Sequence, residues 1–143
     1  MKGFTLLEVL LVIALLGVLL AGMGSLASNT FPKNQLTLET DLVVSTLRRA
    51  QTRSISGYQD GIWGVYFQPN TMTLFKGEEY LSRDSVFDER HVFESGITMG
   101  GLSEIVFEAR HGQTQDVGTV TITQVSTSDT NTLIINENGR IQK

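Results

Sequence analysis

An uninterrupted apolar run near the N-terminus constrains the fold of this chain more than any other feature. Residues Val9 to Ala27 contain no charged side chain, and one carboxylate, Glu8, lies just before them. About 20 helical residues at ~1.5 Å each span the ~30 Å hydrocarbon core of a bilayer. The run therefore predicts a transmembrane helix over residues 4–28, followed by a separate water-facing domain with more Thr, Ser, Gly and Asn.

The charge that precedes the run predicts its orientation. Met1-Lys2-Gly3 carries one positive side chain, and positive flanks tend to stay in the cytoplasm. The N-terminus is therefore expected in the cytoplasm and the polar domain outside it.

Three interpretations of the N-terminus are possible. A secretory signal peptide would be cleaved before Ser28, but the apolar part of such signals is only about 7–15 residues long. An uncleaved single-span anchor explains the length but not Glu8, because a charge within a membrane helix costs a few kcal/mol. The third interpretation uses the order Lys2-Gly3, then Phe4-Thr5-Leu6-Leu7-Glu8, then an apolar helix. This order closely resembles the class III signal of type IV pilins and type II secretion pseudopilins.

The resemblance implies a processing step and a set of partners. In this family a prepilin peptidase cuts on the cytoplasmic side, here between Gly3 and Phe4, and the new N-terminal residue Phe4 is N-methylated. Residues 1–3 would then be the leader. The implied partners are other pilins or pseudopilins, the prepilin peptidase and the inner-membrane assembly platform. The implied location is the bacterial inner membrane, crossed once with the head outside the cytoplasm, and then a filament.

The resemblance also gives Glu8 an assembly role, because in the family this carboxylate is thought to face the terminal amine of a neighbouring subunit. Phe4 and Glu8 are four residues apart and share one helix face, about 6 Å apart along the axis. A neighbour displaced by that amount would bring amine and carboxylate together. An unpaired charge is costly in an apolar bundle, so the pairing would favour one register.

Small side chains offer a second assembly feature on the same helix. Ala14, Gly17 and Ala21 recur at spacings of three and four, and Gly24 and Ser28 continue the series. Such a face lets helices approach closely in a membrane. The alternative is the ordinary abundance of Ala and Gly in membrane helices, and the sequence does not decide between the two.

A break and a second helix are predicted to follow. Pro32 should interrupt the helix over residues 29–34, and an amphipathic helix fits residues 35–56, ending near Gly57. Its apolar stripe should pack on the head; it comprises Leu36, Val43, Leu47 and Ala50, with Leu42 beside them. The basic cluster Arg48, Arg49 and Arg53 is expected to be solvated near the helix C-terminus, with a phosphate site as the less favoured alternative.

Residues 57–143 have the pattern of a β-rich head. Trp63, Val65 and Phe67 alternate with their neighbours, Pro69-Asn70 marks a turn, and Asn138-Gly139 is a strong hairpin signal. Seven strands are predicted: residues 62–67, Thr71 to Lys76, Val92 to Thr98, Glu104 to Arg110, Val117 to Val125, Thr132 to Asn136, and Arg140 to Gln142. The predicted fold class is α+β, with a long N-terminal helix, transmembrane and then amphipathic, carrying an antiparallel β-sheet head.

Within the pilin superfamily the layout is most similar to minor pseudopilins of the GspH/FimT type. The similarity rests on Arg49 to Arg53, on Trp63-Gly64 and on Gly139 to Ile141. It implies a minor structural subunit of a type II secretion pseudopilus. The alternative is a minor pilin of a type IV pilus in adhesion, motility or DNA uptake. The chain has no cysteine, so it lacks the pair common near the C-terminus of major type IV pilins.

No catalytic or cofactor-binding pattern is found, so we expect neither an enzyme, nor a cofactor, nor a small-molecule substrate. His91 and His111 are isolated, and an acidic stretch from Glu78 to Glu89 is predicted to be a solvated loop rather than a calcium site.

DNA binding is expected to be weak at most. A C-terminal Gly-Arg-x-Arg tail has been linked to DNA binding in FimT-type pilins, but here the second arginine is replaced by Gln142. Arg140 and Lys143 could each contact a phosphate, and the net charge of −4 opposes this.

Overall fold

The computed structural model describes residues 5–23 and 30–143, which form two helices followed by a β-rich head. Helix α1 comprises Leu6–Met23 and helix α2 comprises Thr30–Ser56. The head contains antiparallel β-sheets. The predicted α+β fold is therefore confirmed. Phe4 and residues 24–28, at the two ends of the predicted transmembrane segment, lie outside the described residues.

Helix α2 begins earlier than predicted. It starts at Thr30 rather than at Gln35, so the predicted break over residues 29–34 is wrong from residue 30 onward; residue 29 is not among those described. Pro32 lies within the helix, two residues after Thr30.

The predicted apolar stripe of α2 is confirmed as the face that packs on the head. Leu36, Val43, Leu47 and Ala50 are buried, and Leu42 is partly buried against the same core. Helix α2 contacts strands of both sheets. Polar groups also lie on this face: Thr40 donates to the carbonyl of Leu36 at 2.6 Å and accepts from Asn131 Nδ2 at 3.0 Å.

Eight strands form two four-stranded antiparallel sheets in the described part of the chain, with the orders β3-β2-β1-β5 and β4-β6-β7-β8. Their bounds are β1 Trp63–Gln68, β2 Thr71–Lys76, β3 Asp84–Val92, β4 Ile97–Gly101, β5 Glu104–Phe107, β6 Gly118–Gln124, β7 Asp129–Ile135 and β8 Ile141–Gln142. The turn predicted at Pro69-Asn70 joins β1 to β2, and the turn at Asn138-Gly139 joins β7 to β8.

One predicted strand is wrong, and five others differ at one or both ends, most of them by one residue. The strand predicted over Val92 to Thr98 is divided by a turn, in which the N–H of Ile97 donates to the carbonyl of Glu94 at 3.1 Å. The strand β5 ends at Phe107 rather than at Arg110, and β7 begins at Asp129 rather than at Thr132.

The acidic segment predicted as a loop is partly a strand. Residues Asp84 to Glu89 belong to β3, which lies at the edge of the first sheet. Charged side chains are compatible with an edge strand because they remain in water, and they protect the edge from unwanted pairing.

A single core joins the sheets to α2. On β6, Val120 and Ile122 are buried while the alternating Thr119, Thr121 and Thr123 are more exposed, as predicted. Trp63 and Val65 of β1 are buried in the same cluster.

Candidate functional site

The first turn of α1 is fixed by a side-chain cap. The backbone N–H of Glu8 donates to Oγ1 of Thr5 at 3.3 Å and to the carbonyl of Thr5 at 3.0 Å. Thr5 and Glu8 thus have the spacing of a capping box, in which the N-cap hydroxyl accepts the N–H three residues later. Glu8 also places a negative charge near the positive end of the helix dipole. The sequence interpretation missed this local role, although Thr-x-x-Glu before an apolar run signals it.

Helix α1 exposes apolar side chains on all of its faces. From Leu6 to Leu20 each large apolar side chain is about half exposed or more, ranging from 49% at Val9 to 83% at Leu6. A helix that is apolar all round is stable only when lipid or other helices cover it. The described part of the chain does not supply that cover, so α1 is a surface that needs an external partner.

The predicted assembly residues lie on this helix. Glu8, Ala14 and Gly17 are exposed, and nothing lies within 4 Å of a Cβ built on Gly17. Ala21 belongs to α1, but its side chain is not described. Gly3 and Phe4, the predicted cleavage and methylation residues, lie outside the described residues.

None of the helices within residues 5–23 and 30–143 meets the combined length and apolarity expected of a membrane span.

Two of the three segments that suggested a subfamily, Arg49 to Arg53 and Gly139 to Ile141, meet at one junction. Gln51 of α2 donates through Nε2 to the carbonyl of Gly112 at 2.9 Å and to that of Gly139 at 3.1 Å. The backbones approach so closely that a Cβ on Gly139 would lie 2.2 Å from the carbonyl oxygen of Gly112. Gln51 therefore fastens the C-terminal hairpin and the loop after β5 to α2.

Two arginines of α2 form ion pairs with the edge strand. Arg49 and Arg53 contact the two carboxylate oxygens of Glu89 at 2.9 and 2.7 Å. The Arg53 guanidinium also lies 4.6 Å from the Trp63 ring centroid, a cation–π contact. These contacts give Arg49 and Arg53 a structural role and argue against the predicted phosphate alternative at this pair.

The two candidate DNA contacts differ in their surroundings. Lys143 Nζ forms an ion pair with Asp41 Oδ1 at 2.8 Å, which ties the C-terminus to α2. Arg140 is exposed, and its backbone makes two hydrogen bonds with Asn136: its N–H donates to Oδ1 at 2.9 Å and its carbonyl accepts the N–H at 3.3 Å. The pairing of Lys143 leaves Arg140 as the freer cation.

A groove of about 590 Å³ lies beside the outer edge of β5. It is lined by carboxylates, of which two have internal hydrogen bonds: Glu104 accepts the N–H of Tyr80 at 2.7 Å, and Asp116 accepts the N–H of Val106 at 2.8 Å. Burial raises the pKa of the Glu104 carboxyl; the hydrogen bond from Tyr80 opposes this, and the charges of Asp116 and Glu79 add to it. We call this surface the acidic groove.

His91, which the sequence shows as isolated, pairs with a distant carboxylate. Its Nε2 lies 3.1 Å from Oε2 of the buried Glu39, and Oε1 of Glu39 accepts the N–H of Glu94 at 3.2 Å. The pair joins α2 to the end of β3. Within the described ranges no group of three or more His, Asp or Glu side chains is arranged to hold a metal ion.

Comparison with known proteins supports the interpretation of the N-terminus. Residues 1–24 match the family model of the prokaryotic N-terminal methylation motif. The match indicates a type IV pilin-like prepilin signal, and such a signal implies processing by prepilin peptidase and assembly with other pilins. No curated protein and no solved structure was found to match the chain.

Proposed function

We propose that the protein is a minor structural subunit of a type II secretion pseudopilus, matured by prepilin peptidase and assembled through its N-terminal helix. The observation that carries the proposal is the N-terminal methylation motif at residues 1–24, which leads directly into a helix with apolar side chains exposed on all its faces. The protein has a structural role, in which its N-terminal helix packs against neighbouring subunits, and it is not an enzyme.

The exposed apolar surface of α1 accounts for two stages of this function. Before assembly, lipid covers the helix, which anchors the protein in the inner membrane with a single pass and the head outside the cytoplasm. After assembly, helices of neighbouring subunits cover it. The charge of Glu8 supports the second stage, because a carboxylate becomes more favourable in an apolar bundle when an amine of the next subunit pairs with it.

The head is suited to being carried as one rigid unit. Helix α2 is fastened to both sheets by the buried stripe, by Gln51 at the C-terminal hairpin and by Arg53 at β3. Displacement of α2 in a filament would therefore move the head with it.

Filament incorporation tests the proposal. Cells that make the protein together with its partner pilins should contain it in the sheared or detergent-purified filament fraction, and cells without the prepilin peptidase should not. Equal recovery with and without the peptidase would contradict the proposal. Loss of protein secretion on deletion of the gene would assign it to a secretion pseudopilus, whereas loss of pilus-dependent motility, adhesion or DNA uptake would assign it to a type IV pilus.

A further inference from the structure

Three exposed arginines are close in the chain to the residues of the Gln51 junction and have no carboxylate partner among the described residues. Arg48 lies one turn before Gln51 on α2, Arg110 lies two residues before Gly112, and Arg140 directly follows Gly139. Arg49 and Arg53, on the opposite flank of α2, are instead paired with Glu89. We call Arg48, Arg110 and Arg140 the arginine cluster.

Arg110 occupies a backbone conformation that favours glycine. Its φ is 68°, in the left-handed region, and the N–H of Arg110 is held by the carbonyl of Ser54 at 2.9 Å. A residue with a Cβ is strained there, and strain of this kind often marks a functional position. Arg110 therefore lies at the tip of the loop in a conformation that a glycine would adopt with less backbone strain.

The acidic groove supplies the opposite charge. Glu104 and Asp116 are used in internal hydrogen bonds, but Glu78, Glu79 and Glu108 line the groove without a side-chain partner among the described residues. Leu81, also in the lining, is 93% exposed. The groove thus offers three free carboxylates and one uncovered apolar side chain.

One segment of the chain contributes to both surfaces. Residues 108–116 place Glu108 and Asp116 in the groove and Arg110 in the arginine cluster, and the N–H of Gly112 donates to the carbonyl of Glu108 at 2.9 Å. Opposite charges on adjoining surfaces allow a two-fold arrangement of two molecules, in which each contact is made twice.

We propose that the heads of two copies of this chain pair, with the arginine cluster of one copy on the acidic groove of the other. Arginine can bind carboxylates through two parallel hydrogen bonds, and Leu81 is covered in the pair. Exposed ion pairs are individually weak, so several must act together, as the doubled contact provides. The pairing rests on the proposed function only in that the two heads are placed in a filament. A pair of copies is compatible with the role of a minor subunit.

A nucleic acid is a less suitable occupant of the arginine cluster. Duplex DNA carries one negative charge per ~1.7 Å of its axis, and the adjoining Glu108 and Glu137 are exposed carboxylates that would repel it. A short patch of carboxylates on a protein matches three arginines better than a long polyanion does.

Crosslinking between copies tests the pairing directly, because the chain has no cysteine of its own. Full-length chains with Glu79→Cys and with Arg140→Cys are produced together, and their membranes are treated with a short thiol-reactive crosslinker. The expected result is a crosslinked dimer containing both variants. The matched control combines Glu79→Cys with Arg90→Cys, since Arg90 is also an exposed arginine but lies on β3. Equal crosslinking in the control, or none in either pair, would overturn the proposal.

Charge reversal tests whether the pairing depends on opposite charges. Arg110→Glu should reduce the Glu79–Arg140 crosslink at least severalfold when both chains carry it, and adding Glu108→Arg to the same chains should restore it. Arg110→Gly should weaken the crosslink while raising the melting temperature of the head, which excludes unfolding as the cause. Binding of labelled duplex DNA by the full chain, lost in the Arg110→Glu variant and without any crosslink, would replace the proposal with a nucleic-acid site.

The pairing of heads is independent of maturation. The crosslink should also form in cells without the prepilin peptidase, because cleavage at Gly3 does not change the head. A failure of head pairing can therefore be distinguished from a failure of the proposed function.

Discussion

Replacing Gln51 with Ala should destabilise the head by removing the contact that joins three segments. The substitution removes two hydrogen bonds, to the carbonyls of Gly112 and Gly139. A neutral hydrogen bond contributes about 0.5–1.5 kcal/mol, and carbonyls left partly buried without a donor add to the loss. The expected decrease in the free energy of unfolding is therefore about 1–3 kcal/mol.

The single tryptophan provides the assay. Trp63 is the only tryptophan of the chain and is 1% exposed, so its fluorescence reports unfolding of the head even when α1 is held in detergent. At this domain size each kcal/mol lowers the melting temperature by roughly 4 °C. Urea and thermal unfolding of the full chain should both show the loss.

A neighbouring glutamine gives the matched control for Gln51. Gln113 lies in the same loop with an exposed side chain, and Gln113→Ala should change stability by less than about 0.5 kcal/mol. A Gln51→Ala variant no less stable than Gln113→Ala would refute the idea that the junction holds the head together.

Three further perturbations have defined outcomes. Because burial raises the pKa of Glu104 in the folded state, stability from this group is complete below its unfolded pKa and is lost as pH rises through the folded pKa; Glu104→Gln should remove that part of the decline in stability, measured by urea unfolding as the pH rises above the ordinary pKa of a glutamate. Glu8→Leu should leave membrane insertion intact and reduce co-purification with partner pilins; unchanged co-purification would contradict the pairing of Glu8 with an amine. The full chain should show no useful affinity for duplex DNA near ~150 mM salt in an anisotropy titration; micromolar binding lost in an Arg140→Ala, Lys143→Ala double variant would show otherwise.

The spacing of apolar residues made most of the fold predictable from the sequence. The stripe from Leu36 to Ala50 has helical spacing and the β6 residues alternate, and both patterns follow from one buried face. Pro32 was ambiguous because a proline can either interrupt a helix or lie near its start. The structure decides between these, because α2 includes Pro32. The edge strand β3 was missed because its charged residues have the composition of a loop.

The head surfaces could not be predicted because they depend on contacts between distant residues. Gln51 and Gly139 are 88 residues apart in the chain, and the Arg49 and Arg53 pairs with Glu89 require the packing of α2 beside β3. Local spacing carries no information about such contacts. The N-terminal signal was predictable because its residues are adjacent, and the capping role of Thr5 could have been predicted from the same segment.

The mass of the mature protein tests the central claim most directly. Protein purified from cells with an active prepilin peptidase should begin at Phe4, lack Met1 to Gly3 and carry one additional methyl group on its terminal amine, as the motif at residues 1–24 implies. Protein from cells without the peptidase should retain Met1 to Gly3 and lack that methyl group. An N-terminus at Ser28, or an unprocessed chain in the presence of active peptidase, would contradict the pilin-like assignment.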